Sequence, residues 1–172
     1  MTVLWVVLAV LVAAVALVLV VGALLPTTHV ATGAVVVPAP PERVYALLTD
    51  VARAPHWRPD LKAVDLLGER DGHLQFRETG KSGVILFELA EQTPPTRVVV
   101  RVADETLAFG GTWTWVLTRD PSGGTRVAVT EDGVIRNAAF RFMARFLFGY
   151  SKTIDDTLGA LAAHFEPTRD DD

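Results

Sequence analysis

Few residues in this chain are placed to do chemistry, and those few are carboxylates and imidazoles among apolar side chains. In His73–Thr79 the alternation of a strand puts Leu74, Phe76 and Glu78 on one face and His73, Gln75 and Arg77 on the other. An acid closing an apolar face, if it points into an enclosed space, has its pKa raised by burial and becomes able to give or take a proton. Glu131 follows Val127 and Val129 on one face in the same way, and two such acids turned towards each other have the composition of an acid–base pair. Nothing in the spacing brings the two together. His56, in the loop His56-Trp57-Arg58-Pro59, is a third candidate proton carrier. Because most Glu residues are solvated, the expectation adopted for Glu78 is an exposed side chain at the strand end near Lys81.

Other chemistries are excluded by what the sequence lacks. There is no cysteine, which removes disulfides, thiol nucleophiles and zinc–thiolate sites. The histidines His29, His56, His73 and His164 show no metal-ligand spacing and no HExxH, so no metal is expected. Gly80-Lys81-Ser82 imitates the end of a phosphate loop, but Gln75 stands where its first glycine is required and the segment reads as a hairpin turn. Neither a GxSxG elbow nor a GxGxxG fingerprint occurs, and no cofactor is expected. The net charge is −4, from 16 basic and 20 acidic residues. With no cluster of Lys or Arg there is no face for phosphates, which argues against nucleic acid.

The elements that must position these residues follow from periodicity. Thr28–Val37 ends in a β-branched run and reads as a strand; Pro41–Leu48 carries Pro and Glu in its first turn and reads as a helix. Asp50–Arg53 forms a further helical turn, and Trp57 falls in a loop. Alternating segments then follow at Lys62–Glu69, His73–Thr79, Val84–Glu91, Arg97–Ala103, Thr112–Arg119 and Thr125–Ile135. Asp71-Gly72, Gly80–Gly83, Pro94-Pro95 and Asp120–Gly124 punctuate them, the pattern of an antiparallel meander. From Asn137 to Glu166 the period becomes helical: Phe140, Met143/Ala144, Leu147, Ile154, Leu158, Leu161 and Phe165 form one apolar stripe, with Arg141, Arg145, Lys152 and Asp156 on the other side. One helix of about 42 Å is expected there, with Gly149 marking close packing or a slight bend. Its many phenylalanines are read as a wide buried face, in preference to an interfacial helix at lipid headgroups.

From Met1 to Pro41, through the end of the first strand, there is no Asp, Glu, Lys or Arg. Leu4–Leu25 is Leu, Val and Ala with one Trp and one Gly, long enough as a helix to cross a bilayer at roughly 33 Å. A cleaved signal peptide, with Val21-Gly22-Ala23 as processing site, is the competing reading. The apolar run is longer than an ordinary signal core and lacks a basic start, which favours a retained single-pass anchor and a membrane location. The expected organisation is an anchor over 1–26, one domain over 27–167 and a charged, disordered tail over 168–172.

A seven-stranded antiparallel sheet with one long helix to cover it is an α+β arrangement. The stretch Val36–Asp50, the His56–Pro59 loop, Thr112-Trp113-Thr114-Trp115 leading to Gly123–Val127, and Phe148-Gly149-Tyr150 together resemble the START-like helix-grip superfamily (SRPBCC), in particular its polyketide cyclase/dehydrase branch, over about residues 30–166. The resemblance implies a helix-grip fold, a sheet wrapped around the C-terminal helix with a hollow between them. Members bind lipids, hormones or polyketides, and only some are catalysts. The candidate lining is Phe76, Glu78, Phe87, Val100, Trp113 and Trp115 from the sheet, Trp57 from the loop, and Phe140, Met143 and Leu147 from the helix. The expected function is membrane-tethered binding of an apolar small molecule or lipid, with transfer or sequestration. Two alternatives stand beside it: a cyclase or dehydratase using Glu78 with Glu131 or His56, and an interaction module whose hollow is filled by its own Trp113, Trp115 and Phe140.

Overall fold

The computed structural model describes residues 2–81 and 83–166, with the backbone alone at Phe148. It begins with helix α1 (Thr2–Leu24), followed by strand β1 (Thr28–Val37), helix α2 (Pro41–Thr49) and a 3₁₀ turn (Val51–His56). Strands β2 (Leu61–Arg70), β3 (His73–Gly80), β4 (Gly83–Thr93), β5 (Arg97–Val102), β6 (Phe109–Arg119) and β7 (Thr125–Ile135) come next. They form one antiparallel sheet in the order β1-β7-β6-β5-β4-β3-β2, a meander whose last strand returns to pair with the first. Each alternating segment became a strand, and each turn cluster a reversal. At the β2–β3 turn, Asp71 and Gly72 both take positive φ (52° and 80°), the geometry that a two-residue hairpin requires. Ser82 in the β3–β4 turn, the helix stop at Pro167 and the tail 168–172 lie outside the described residues.

The C-terminal region departs from expectation. The single helix over 137–166 is instead α3 (Ala138–Met143), a π-helical turn (Ala144–Phe148) and α4 (Lys152–Phe165). The Asn137 side chain caps α3 by accepting from the Phe140 N–H at 3.0 Å. At the other end the Gly149 N–H reaches back five residues to the Ala144 carbonyl, 3.0 Å. Gly149 itself adopts φ 75°, ψ 162°, a conformation open to glycine and closed to most other residues. The helix therefore stops there, and the supposed bend is a break. The apolar stripe loses its phase across it. Ile154, Leu158 and Leu161 are buried, whereas Phe140, Phe146 and Leu147 are exposed, so the wide buried face expected of the phenylalanines is not present.

Helix α4 presses on β1 at Gly33, where a Cβ would lie 2.6 Å from Ile154 Cγ2 and 2.9 Å from Leu158 Cδ1. These residues join Val37, Val44, Phe76, Leu117, Val127 and Val129 in one core. Helix α1 is covered only near its end. Gly22 is its one buried residue, held so close to α3 that a methyl there would overlap the Ala138 carbonyl. Arg141, expected on the outer side of the helix, is buried instead. Its Nε donates to the Gly22 carbonyl at 2.7 Å and its Nη1 to the Ile135 and Arg136 carbonyls at 3.1 and 3.0 Å. A cation among the last carbonyls of α1 meets acceptors that have no partner within that helix.

Leu161 is fully buried and Leu66, on edge strand β2, is 54% exposed. Leu161→Ala is therefore expected to lower stability by about 2–5 kcal/mol, and Leu66→Ala by less than about 0.5 kcal/mol. Denaturant unfolding of the detergent-solubilised chain, followed by tryptophan fluorescence, checks both.

Candidate functional site

A cavity of about 500 Å³ lies between the concave face of the sheet and the C-terminal helical segments. Its walls follow from strand parity. Phe76 and Glu78 enter it from β3, Phe87 from β4, Val100 from β5, and Trp113 and Trp115 from β6, each alternate residue of a pleated strand. The two indoles are 6.0 Å apart between centroids and tilted at 46°, and Phe76 stacks with Phe87 at 5.7 Å. Trp57 follows directly on the 3₁₀ turn, as its C-cap, and is buried in the wall. Phe140 lines the cavity from α3. Met143 and Leu147 are not among the lining residues; the π-helical turn carries Leu147 to the outside, 67% exposed.

The wall is largely apolar, and two of the places where polar groups interrupt it hold the candidate acids. Glu78 is buried, which corrects the solvated reading. Its partner is Arg58, whose Nη1 donates to both carboxylate oxygens at 2.9 and 3.2 Å. Arg58 also meets Asp60, at 2.8 Å from Nη2 and 3.4 Å from Nε. Burial raises the Glu78 pKa above the ordinary glutamate value, Arg58 opposes the rise, and Asp60 adds to it. A carboxylate half-neutralised by a guanidinium, in a largely apolar wall, is a polar anchor of the kind that orients a ligand.

Glu131 occupies the second place. It sits opposite Trp113 across β6 and β7, and its Oε1 lies 3.6 Å from His29 Nε2, an ion-pair distance too long for a direct hydrogen bond. Burial raises the Glu131 pKa, with His29 and the Trp113 indole pulling it back. The His29 ring stacks on Tyr150 at 4.3 Å and covers Gly133, where a methyl would overlap the imidazole. Glu78 and Glu131 thus line the same cavity but do not form a pair: Glu78 is engaged by Arg58, and Glu131 lies against His29. His56 is absent from the cavity; it is exposed, with Nδ1 3.2 Å from the Arg53 carbonyl. Among the described residues, no group of three or more His, Asp or Glu could hold a metal ion.

Residues 28–166 match the family described as "Polyketide cyclase / dehydrase and lipid transport". The chain belongs to this family. Solved structures agree in fold. The di-domain aromatase/cyclase BexL of the BE-7585A biosynthetic pathway superposes with a TM-score of 0.67 at 20% identity, over 86% of this chain and 53% of that one; the chain thus spans about half the length of that protein. A START superfamily protein from Mycobacterium smegmatis gives 0.65 at 17% identity, over 80% and 97%. The Zhui aromatase/cyclase from Streptomyces sp. R1128 gives 0.65 at 17%, over 81% and 94%. No curated protein matches the sequence. At these identities the likeness is one of fold, and a polyketide cyclase/dehydrase-family fold hosts several activities.

Several polar residues of the site, His29, Arg58, Asp60 and Tyr150 among them, are not evident as site residues in the sequence. His29 shares strand parity with the inward-facing Ala31, Val35 and Val37, a signal that was present and unused. Arg58, Asp60 and Tyr150 reach the cavity through chain reversals that no local pattern encodes.

The raised Glu78 pKa has a consequence for stability. Between the ordinary glutamate value and the raised one, the folded state binds more protons than the unfolded state, so stability falls as pH rises through that window. Glu78→Gln removes this contribution and should make the fall shallower. Thermal unfolding from about pH 4 to about pH 8 measures it, and an unchanged slope would contradict the assignment.

Proposed function

We propose that this chain is a membrane-tethered binder of one apolar small molecule or lipid, held in the cavity between sheet and C-terminal helices. The observation that carries this reading is the cavity itself: a hollow of about 500 Å³ walled by Phe76, Phe87, Val100, Trp113, Trp115 and Phe140. Ligand-sized pockets have this volume and this apolar character, with a few polar groups to set orientation. Removing apolar surface from water at about 25 cal/mol per Å² supplies the driving force. The Arg58–Glu78 and His29–Glu131 sites supply polar partners for oxygen atoms of the ligand. The family description, with lipid transport in it, favours the same class of molecule. A hollow left open by its own aromatic side chains speaks against a module that needs no ligand.

The tether is α1. It is 23 residues long, apolar from Val3 onward, and long enough to cross a membrane. Its final turn packs on α3 and is bonded by the buried Arg141. Cleavage at Val21-Gly22-Ala23 would strip Arg141 of an acceptor, which favours a retained anchor over a removed signal.

A second reading is favoured by one contact. The approach of His29 to Glu131, with the carboxyl pKa raised by burial, is the composition of a general acid–base pair, and supports a cyclase or dehydratase activity on the bound molecule.

Binding is tested with the delipidated, detergent-solubilised chain and the apolar fluorophore N-phenyl-1-naphthylamine. Saturable uptake with a blue shift is expected, weakened about tenfold in Trp113→Ala, or about 1.4 kcal/mol. Glu131→Gln should leave that affinity within about twofold; a catalyst would bind as before and lose turnover. No uptake by the unsubstituted chain would overturn the binding proposal.

A further inference from the structure

We propose that α3 and the π-helical turn after it rest in the headgroup layer of the membrane that α1 crosses, holding the rim of the cavity at the lipid surface. The inference rests on the reading of α1 as a membrane span. The covered positions at the end of α1 are Val18, Val21, Gly22 and, just beyond it, Leu25, spaced as one helical face. From Val18 to Leu25 is about 10 Å along the axis. The α3 segment therefore stands beside the last two turns of the span, at the depth where hydrocarbon gives way to headgroups.

That position is fixed rather than incidental. Gly22 brings the α1 backbone against the Ala138 carbonyl, and small residues are what allow helices at a membrane to approach so closely. The guanidinium of Arg141 ties the Gly22 carbonyl of α1 to the Ile135 and Arg136 carbonyls that lead into α3. A segment pinned at both backbones cannot leave the membrane while α1 stays in it.

What the segment shows on its free side suits lipid. Phe146 and Leu147 are 56% and 67% exposed and do not line the cavity, so their apolar surface faces outward with no protein cover among the described residues. From Asn137 to Ser151 there is no Asp or Glu, and of the two arginines Arg145 is exposed while Arg141 is taken up by the carbonyls it bridges, in a chain whose net charge is −4. Apolar and basic residues in one short helical stretch are the composition of an interfacial element. Phe140 and Gly149, in the same stretch, line the cavity and are themselves exposed, which makes this segment part of the cavity's rim. An apolar molecule would then pass from bilayer to cavity without crossing water.

The cysteine-free chain allows a direct test. Single substitutions Leu147→Cys, Leu11→Cys and Leu66→Cys are labelled with bimane in the full chain. The chain is reconstituted in vesicles of phosphatidylcholine with phosphatidylglycerol, and quenching by doxyl-labelled lipid is read. Leu11 lies within the span and Leu66 on the exposed face of β2. The expected result is strong quenching at 11 and at 147 and none at 66. Quenching at 11 without quenching at 147 would overturn this proposal and leave the anchor standing. Absence of quenching at 11 would overturn both. A blue-shifted but unquenched label at 147 would mean that a second copy of the chain covers this surface, and would overturn it too.

Discussion

The structure depends on one close approach, that of α4 to β1 across Gly33. Ile154 and Leu158 reach the β1 backbone because no side chain intervenes there, and both are buried in the common core. The helix is thereby fastened along the β1 border of the sheet. It has only 14 residues, about 21 Å at helical rise, and cannot also cover the faces of β3, β4 and β5. The hollow is what remains of a concave sheet after a short helix has been tied to one of its borders.

The break at Gly149 follows the same logic. A continuous helix would have extended the apolar stripe of Ile154, Leu158 and Leu161 back through Leu147 and Phe140. By leaving the helical conformation at Gly149, the chain releases α3 and the π-helical turn from the sheet. It also frees Arg141 to meet the end of α1. One backbone change thus opens the cavity, sets part of its rim and joins the domain to α1. Within the cavity, the buried carboxylate of Glu78 persists because it faces the Arg58 cation; unpaired, it would be too costly to bury as a charge.

Much of the fold was legible in the sequence because strands and turns are local. Period-two alternation with Asp71-Gly72, Pro94-Pro95 and Gly123-Gly124 between runs marks the meander, and the inward parity of Trp113 and Trp115 follows from it. Glu78 was read as solvated because its partner Arg58 lies 20 positions away, in a loop whose path depends on the whole fold. The outward side assigned to Arg141 failed for the same reason: its acceptor at Gly22 is 119 positions distant. The interrupted helix was hidden because apolar spacing continues on both sides of Gly149, and a glycine does not declare in sequence whether it bends a helix or ends it. His29 was overlooked for a different cause. It was weighed as a metal ligand and not as an inward member of β1.

The function depends on whether the space between the sheet and the C-terminal helices holds an apolar guest. Native mass spectrometry of the full chain, extracted from membranes in mild detergent and released in the gas phase, reads this without knowledge of the guest. One apolar molecule bound per chain, lost on delipidation and regained on return to membrane extract, is the result predicted here. A chain that flies at its bare mass under all three conditions would contradict it.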